Sequence, residues 1–214
     1  TSYDFVYCDD NVLVLDNFEF NHNIANIFKS FEKNLGASFY RPLLTVSFII
    51  DAKIGERNPA AYHKTNFILH LAASLLIFVI LLKLGYSQII ACGMTLFFAV
   101  HPILTPAVSW IPGRNDSLLA IFILLSFLFL LNFIKFKRWY YCVLHLLCFA
   151  LALFTKETAL LFPVICALFI YLYRKEKLVN KRNFLLGILW LAIACLWYLM
   201  RAEAIVAGQN PDII

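Results

Sequence analysis

Six long apolar stretches follow one another between residues 60 and 200. A helix that crosses a bilayer needs about 20 mostly apolar residues, so we expect six spanning helices. They cover 60–82, 87–108, 116–134, 139–155, 157–173 and 183–200. Only 14% of the residues are charged and 62% are hydrophobic, whereas about 25% of an ordinary soluble domain is charged. This excludes a soluble globular enzyme, a disordered chain and a disulfide scaffold, and predicts an all-α polytopic integral membrane protein.

The apolar stretches divide the chain into three predicted parts. Residues 1–58 are mixed and polar and form a predicted loop, whose apolar run 43–50 is too short to span and suits an interfacial or re-entrant helix. Residues 59–201 form the helical membrane domain, which starts at Asn58-Pro59, a good N-cap followed by proline at the first helical position. Residues 202–214 begin a further loop. Inside the domain, His101-Pro102 predicts a break and Pro163 a bend.

Loop charge predicts the orientation of these helices. One set of alternate loops carries nine basic residues and one acid, Glu176. The opposite set has three basic and four acidic residues. The positive-inside rule makes the first set cytoplasmic. The segment 1–58 and the second set are therefore predicted to share the extracytoplasmic face.

The polar residues on that predicted face each have two interpretations. Asp9 and Asp10 are either ordinary solvated acidic residues or a reactive pair. Asp116 suits a helix N-cap, and Glu157 suits a helix N-terminus, where negative charge is favoured. Basic side chains at helix ends commonly extend to the membrane interface; here these are Arg114, Lys156 and Arg201.

A polar stripe runs along the first predicted spanning helix. His63, Asn66 and His70 stand at positions i, i+3 and i+7 and so share one face. Polar groups inside a membrane are costly unless they face the protein interior or a cavity. The stripe therefore predicts either hydrogen bonds between helices or the lining of a polar pocket. For His145, in the fourth predicted helix, only hydrogen bonding between helices is indicated.

The residues predicted on this face fit the transfer of a sugar from a lipid-linked phosphosugar donor. Arg, Lys and His at helix ends can neutralise a phosphate held at the membrane boundary. A carboxylate above them can take the proton of an acceptor hydroxyl. Because a lipid phosphate is already a good leaving group, one base and several cations suffice, whereas glycosidases need two carboxylates.

Four segments resemble one family of membrane glycosyltransferases. They are Tyr40-Arg41-Pro42-Leu43, Tyr62-His63 through His70-Leu71, Phe98–Pro102 running to Gly113-Arg114-Asn115-Asp116, and Thr155-Lys156-Glu157. In order and spacing they resemble the transmembrane and tetratricopeptide-repeat-containing O-mannosyltransferases and their bacterial relatives, in the GT-C superfamily. The chain departs from the family pattern in three places: Thr155 replaces the usual serine, Leu104-Thr105-Pro106 follow His-Pro, and Asn115 precedes Asp116 where some relatives have alanine.

The resemblance implies roles for the gathered residues. Asp9 or Asp10, as the acidic motif of a first extracytoplasmic loop, would be the catalytic base, which also implies a helix before residue 1. Residues implied to bind the donor phosphate or sugar are Arg41, His63, His101, Arg114, Lys156 and Arg201. Asp116 and Glu157 would orient those cations or contact sugar hydroxyls, with Asn66 and His70 as supporting polar groups.

The implied reaction transfers a sugar such as mannose from a polyprenyl- or dolichyl-phosphate donor. The acceptor hydroxyl belongs to a protein or glycan, and the protein lies in the bacterial inner membrane or the endoplasmic reticulum. No nucleic-acid partner is expected, because the basic residues cluster between helices. Metal use stays open, although a divalent cation between carboxylates and phosphate is chemically reasonable. Two alternatives stay open: a polytopic transporter or lipid flippase, and a non-catalytic membrane scaffold.

Overall fold

A computed structural model describes residues 4–5, 9–32, 39–172 and 181–209 of the chain. Within these residues every regular element is a helix. The α-helices are α1 (Phe18–Asn21), α2 (Asn26–Glu32), α3 (Pro42–Gly55), α4 (Pro59–Lys83), α5 (Gln88–Ala99), α6 (Thr105–Ser109), α7 (Arg114–Phe136), α8 (Trp139–Thr155), α9 (Phe162–Leu172) and α10 (Lys181–Gln209). A π-helical turn covers Asn11–Leu15, and 3₁₀ turns cover Pro102–Leu104 and Glu157–Leu161. Three basic residues used for the predicted orientation, Arg174, Lys175 and Lys177, lie outside the described residues.

The predicted all-α membrane fold is confirmed. Helices lie over all six predicted stretches, and α4, α7 and α10 are long and apolar enough to cross a membrane. The segments Gln88–Ala99 and Pro102–Ser109 make a fourth candidate span that is bent by 51°. The remaining apolar stretches, Trp139–Thr155 and Glu157–Leu172, are shorter. A count of six spans therefore stays a prediction.

Local chemistry explains where these helices begin and break. Asn58 accepts a hydrogen bond from the Ala60 amide at 3.0 Å, so the predicted start of α4 is confirmed. The predicted break at His101-Pro102 is also present, between α5 and α6. Pro163 differs from expectation: it lies in the first turn of α9 after a 3₁₀ turn, where its missing amide hydrogen leaves no helical bond unmade.

Two apolar clusters hold the helices together. The larger joins α7, α8, α9 and α10, with buried side chains that include Leu130, Phe149, Phe162 and Trp190. The smaller lies where the N-terminal segment covers the ends of α3, α4 and α7; its buried members are Val14, Leu44, Phe48, Tyr62 and Ile111. This second cluster forms the apolar floor under the candidate site.

Candidate active site

Arg114, the first residue of α7, lies inside the protein with 0% exposure. Its Nε donates to Asn66 Oδ1 at 2.8 Å, and its Nη2 donates to the Tyr62 carbonyl at 2.9 Å. Its Nη1 lies 2.5 Å from Asp51 Oδ2. The guanidinium also lies 4.8 Å from the centre of the Phe48 ring. Arg114 therefore joins α3, α4 and α7 at one end of the helices.

Asp51 is the partner that the sequence did not reveal. Its side chain is 3% exposed, and its second oxygen accepts a hydrogen bond from Thr65 Oγ1 at 2.6 Å. Burial raises the pKa of Asp51, while the Arg114 guanidinium opposes that rise. A carboxylate so enclosed persists because the cation and the hydroxyl replace the water that it has lost.

The polar stripe of α4 had two interpretations, and the structure shows the first of them for Asn66 and His70: hydrogen bonds to neighbouring segments. Asn66 Nδ2 donates to the Trp110 carbonyl at 2.9 Å, while its oxygen receives Arg114. His70 Nε2 lies 2.9 Å from the Ala99 carbonyl, and its ring stacks on Phe98. The stripe thus fixes the segment between α5 and α7 against α4.

A close approach of two backbones also places Arg114. A methyl group built on Gly113 would lie 2.2 Å from the Pro106 carbonyl oxygen. Only glycine fits there without moving backbone, because this distance is far inside van der Waals contact. Gly113 therefore lets the turn after α6 close tightly and deliver Arg114 to its buried site.

Two further ion pairs lie at the same end, within reach of water. Arg41 binds Glu157 through two donors, Nη2 to Oε1 at 2.8 Å and Nε to Oε2 at 3.3 Å. Lys156, the neighbour of Glu157, donates to the Asp116 carboxylate. The side chains of Lys156 and Asp116 are 22% and 54% exposed. These four charged groups join the segment before α3, the start of α7 and the end of α8.

The two predicted base residues differ in burial. Asp9 is exposed, whereas Asp10 is 0% exposed and lies within electrostatic range of Arg114. The described N-terminal segment therefore sits over the same end of the helices as the ion pairs. The two acidic residues occupy different environments although they are adjacent in sequence.

A groove of about 340 Å³ opens beside this cluster on α4. Its lining residues are Ala60, His63, Lys64, Phe67, Val108 and Ser109. Three of these side chains are polar and three are apolar. Among the apolar residues of the groove, Phe67 is 59% exposed.

Comparison with known proteins gives matches over part of the chain. Tmtc1, a protein O-mannosyl-transferase of Drosophila melanogaster, is 32% identical over 129 residues, which is 60% of this chain and 15% of that protein. The human protein O-mannosyl-transferases TMTC2 and TMTC3 are 46% and 39% identical over 92 and 89 residues. Each of these human matches covers 42% of this chain, and 11% and 10% of the relatives. The predicted resemblance is confirmed over this part of the chain.

The chain thus spans a small part of the length of the TMTC relatives that it matches, 15% for Tmtc1. No family model matches the chain. No solved structure matches it either.

The remaining predicted site residues lie apart from the central cluster or serve local structure. His101 Nδ1 accepts from the Ile103 amide at 3.2 Å and caps the 3₁₀ turn. Arg201 lies over the Trp197 ring at 5.8 Å, on α10. Of the described contacts, none links Arg201 to the ion pairs. The structural role expected for His145 agrees with its position: it accepts from Trp190 Nε1 at 2.9 Å and bonds Ser126.

Metal ligands do not gather in the described part of the chain. No group of three or more His, Cys, Asp and Glu side chains converges there. The carboxylates at the candidate site are instead engaged by Arg114, Lys156 and Arg41. Among these residues, the site is a set of paired cations and carboxylates at the ends of apolar helices.

Proposed function

We propose that the chain is part of a multi-pass glycosyltransferase that transfers mannose from a polyprenyl- or dolichyl-phosphate donor to a hydroxyl of a protein or glycan. The carrying observation is that the acidic N-terminal segment and the cations of α7 and α8 meet at one end of apolar helices. The relatives' names, protein O-mannosyl-transferase, support the reaction class. The loop charges support an extracytoplasmic site, in the endoplasmic reticulum or bacterial inner membrane.

In this proposal Lys156 and Arg41 bind the donor phosphate. Lys156 and Arg41 are partly exposed, at 22% and 16%, so a phosphate can approach them from the membrane boundary. His63 faces the neighbouring groove, whose apolar residues suit the first units of a lipid chain. Asp116 and Glu157 hold the two cations in place before the donor binds. Fixed cations of this kind stabilise charge that develops on a leaving phosphate.

The acceptor is activated by Asp9. The Asp9 carboxylate is exposed and can receive the proton of an acceptor hydroxyl. The acceptor oxygen then forms a bond to the anomeric carbon from the face opposite the phosphate. The bond between that carbon and the phosphate oxygen breaks, and its electron pair leaves on the lipid phosphate. The configuration at the anomeric carbon is inverted.

Asp10 and Arg114 serve as positioning residues. Asp10 is buried, and Arg114 has Asn66, Tyr62 and Asp51 as partners inside the protein. Their attraction holds the acidic segment over the helix ends. Arg114, expected from the resemblance to bind phosphate, is thereby proposed to act through Asp10.

Mannose transfer by variants of the full-length protein tests this proposal. Membrane vesicles receive labelled dolichyl-phosphate mannose, and label that moves from the lipid fraction into protein is counted. We expect Asp9→Asn to lower the rate by about 10²–10⁴-fold, the range for loss of a general base. Asp16→Asn, at an exposed acid of the same segment, is the matched control and should keep the rate.

The same assay decides against the proposal under one clear outcome. If Asp9→Asn inserts into the membrane and keeps full activity, Asp9 is not the base; if Asp10→Asn and the double variant also keep it, neither residue of the acidic pair is. Loss of activity with Asp16→Asn as well would mean that the assay reports folding of the segment rather than its chemistry.

A further inference from the structure

An open groove of about 800 Å³ lies at the end of the helices opposite the Arg114 cluster. It lies between the C-terminal parts of α4, α7 and α9. Its apolar lining comprises Val79, Leu82, Leu84, Leu131, Ile134 and Phe169, and its polar lining comprises Lys83, Asn132 and Lys135. A groove with apolar walls and two cations thus opens where apolar helices end.

The two lysines give this groove an unbalanced positive charge. Both are exposed, and Lys83 Nζ donates to Asn132 Oδ1 at 2.8 Å, which holds its ammonium group at the rim. None of the described lining residues is acidic. Further cations lie nearby in sequence: Lys137 and Arg138 follow α7 directly. The groove therefore attracts anions, and its polar groups can donate hydrogen bonds to them.

We propose that this groove binds the headgroup of an anionic glycerophospholipid. Lys83 and Lys135 would contact the phosphate, and the Asn132 amide would donate to its ester oxygens. One acyl chain would lie along Val79 and Phe169. Charge complementarity selects this occupant, because basic pockets between helices at the cytoplasmic boundary favour anionic headgroups. The apolar walls favour a lipid over a free anion.

The site is independent of the proposed transferase centre. Arg114 begins α7 and Lys135 lies next to its end. A helix of this length extends about 35 Å at 1.5 Å per residue, so the two sites lie at opposite membrane boundaries. If the lipid site is disproved, the proposed transferase centre is unaffected, and the reverse also holds.

Lipid binding by the full-length protein tests the inference. The protein in neutral detergent is titrated with dioctanoyl phosphatidylglycerol or with phosphatidylcholine of the same chain length. Bound lipids are counted by native mass spectrometry, and the melting temperature is followed in parallel, since a ligand of the folded state raises it. We expect phosphatidylglycerol to bind more tightly and to raise the melting temperature more than phosphatidylcholine.

Substitutions assign the binding to the groove. Lys83→Gln and Lys135→Gln should each weaken phosphatidylglycerol binding about fivefold, and the double variant about 25-fold, as each lysine near an anionic lipid contributes about 1 kcal/mol. Lys53→Gln, at an exposed lysine of α3, is the matched control and should change nothing. If Lys83→Gln misfolds for want of its bond to Asn132, Lys135→Gln alone decides.

Three results would overturn the inference. The first is equal affinity for the two lipids, and the second is unchanged binding in the lysine variants. In the third, millimolar inorganic phosphate stabilises the protein as much as phosphatidylglycerol and displaces it, which would make the groove a site for a free anion.

Discussion

The buried pair of Asp51 and Arg114 gives the most demanding prediction. Asp51→Asn keeps the size of the side chain and its contact with Thr65 but removes the charge that faces Arg114. The guanidinium is 0% exposed, so water cannot replace the lost carboxylate. Removing one partner of a buried ion pair costs about 3–5 kcal/mol. We expect Asp51→Asn to lower the free energy of unfolding by at least about 3 kcal/mol.

A second substitution separates the charge effect from simple loss of packing. Arg114→Met removes the cation and keeps an unbranched side chain against Phe48. In the double variant, position 51 no longer faces a buried charge. The double variant should therefore be more stable than the sum of the single losses implies, with a coupling of about 2 kcal/mol or more.

The assay is reversible unfolding in mixed micelles by titration with dodecyl sulfate, followed by tryptophan fluorescence. Asp116→Asn supplies the matched control, because it breaks an ion pair whose members are 22% and 54% exposed. Exposed pairs contribute about 0–1 kcal/mol. The buried pair does not contribute as proposed if Asp51→Asn costs no more than Asp116→Asn, or if the losses from Asp51→Asn and Arg114→Met add without coupling.

Two further substitutions test the packing in the same unfolding assay. Gly113→Ala should cost about 1–3 kcal/mol, because its methyl group would meet the Pro106 carbonyl, whereas Gly187→Ala, which meets nothing within 4 Å, should be neutral or stabilise by up to about 1 kcal/mol; equal effects would contradict the close approach. His145→Phe should cost about 1–3 kcal/mol by leaving the Trp190 indole N–H without its acceptor. Trp190→Phe should cost less in the His145→Phe background than in the wild-type protein, and a fully additive loss would contradict that hydrogen bond.

The helices were predictable because their signals are local. An apolar stretch, the Asn58 cap and the His101-Pro102 break each influence only the backbone near them. The structure has helices over the long stretches, a helix start after Asn58 and a helix break at His101-Pro102. The span count was not predictable to the same degree. The stretches 139–155 and 157–172 are apolar but short, so composition alone does not decide whether each crosses a bilayer.

The ion pairs of the candidate site were less predictable, because each partner is distant in sequence. Asp51, which follows an apolar run, pairs with Arg114, which lies 63 residues later in the sequence. Arg41 pairs with Glu157, which lies 116 residues later. Sequence also could not distinguish an arginine that faces a membrane boundary from one that faces inward. Arg114 faces inward because Gly113 and Asn66 bring the start of α7 against α4.

In our proposal, the segment with Asp9 and Asp10 and the cations of α7 and α8 form one site on the extracytoplasmic side. The direct measurement is labelling of single cysteines by a membrane-impermeant maleimide in sealed vesicles whose extracytoplasmic face points outward. The full-length protein would carry them in place of Asp9, Lys156, Lys83 or Lys135, in a background without other reactive thiols.

We expect cysteines at positions 9 and 156 to react in intact vesicles. Those at positions 83 and 135 should react only after the membrane is permeabilised. If positions 9 and 156 are labelled from opposite sides of the membrane, the proposed site does not exist, because no single site could then hold a lipid-borne sugar between them.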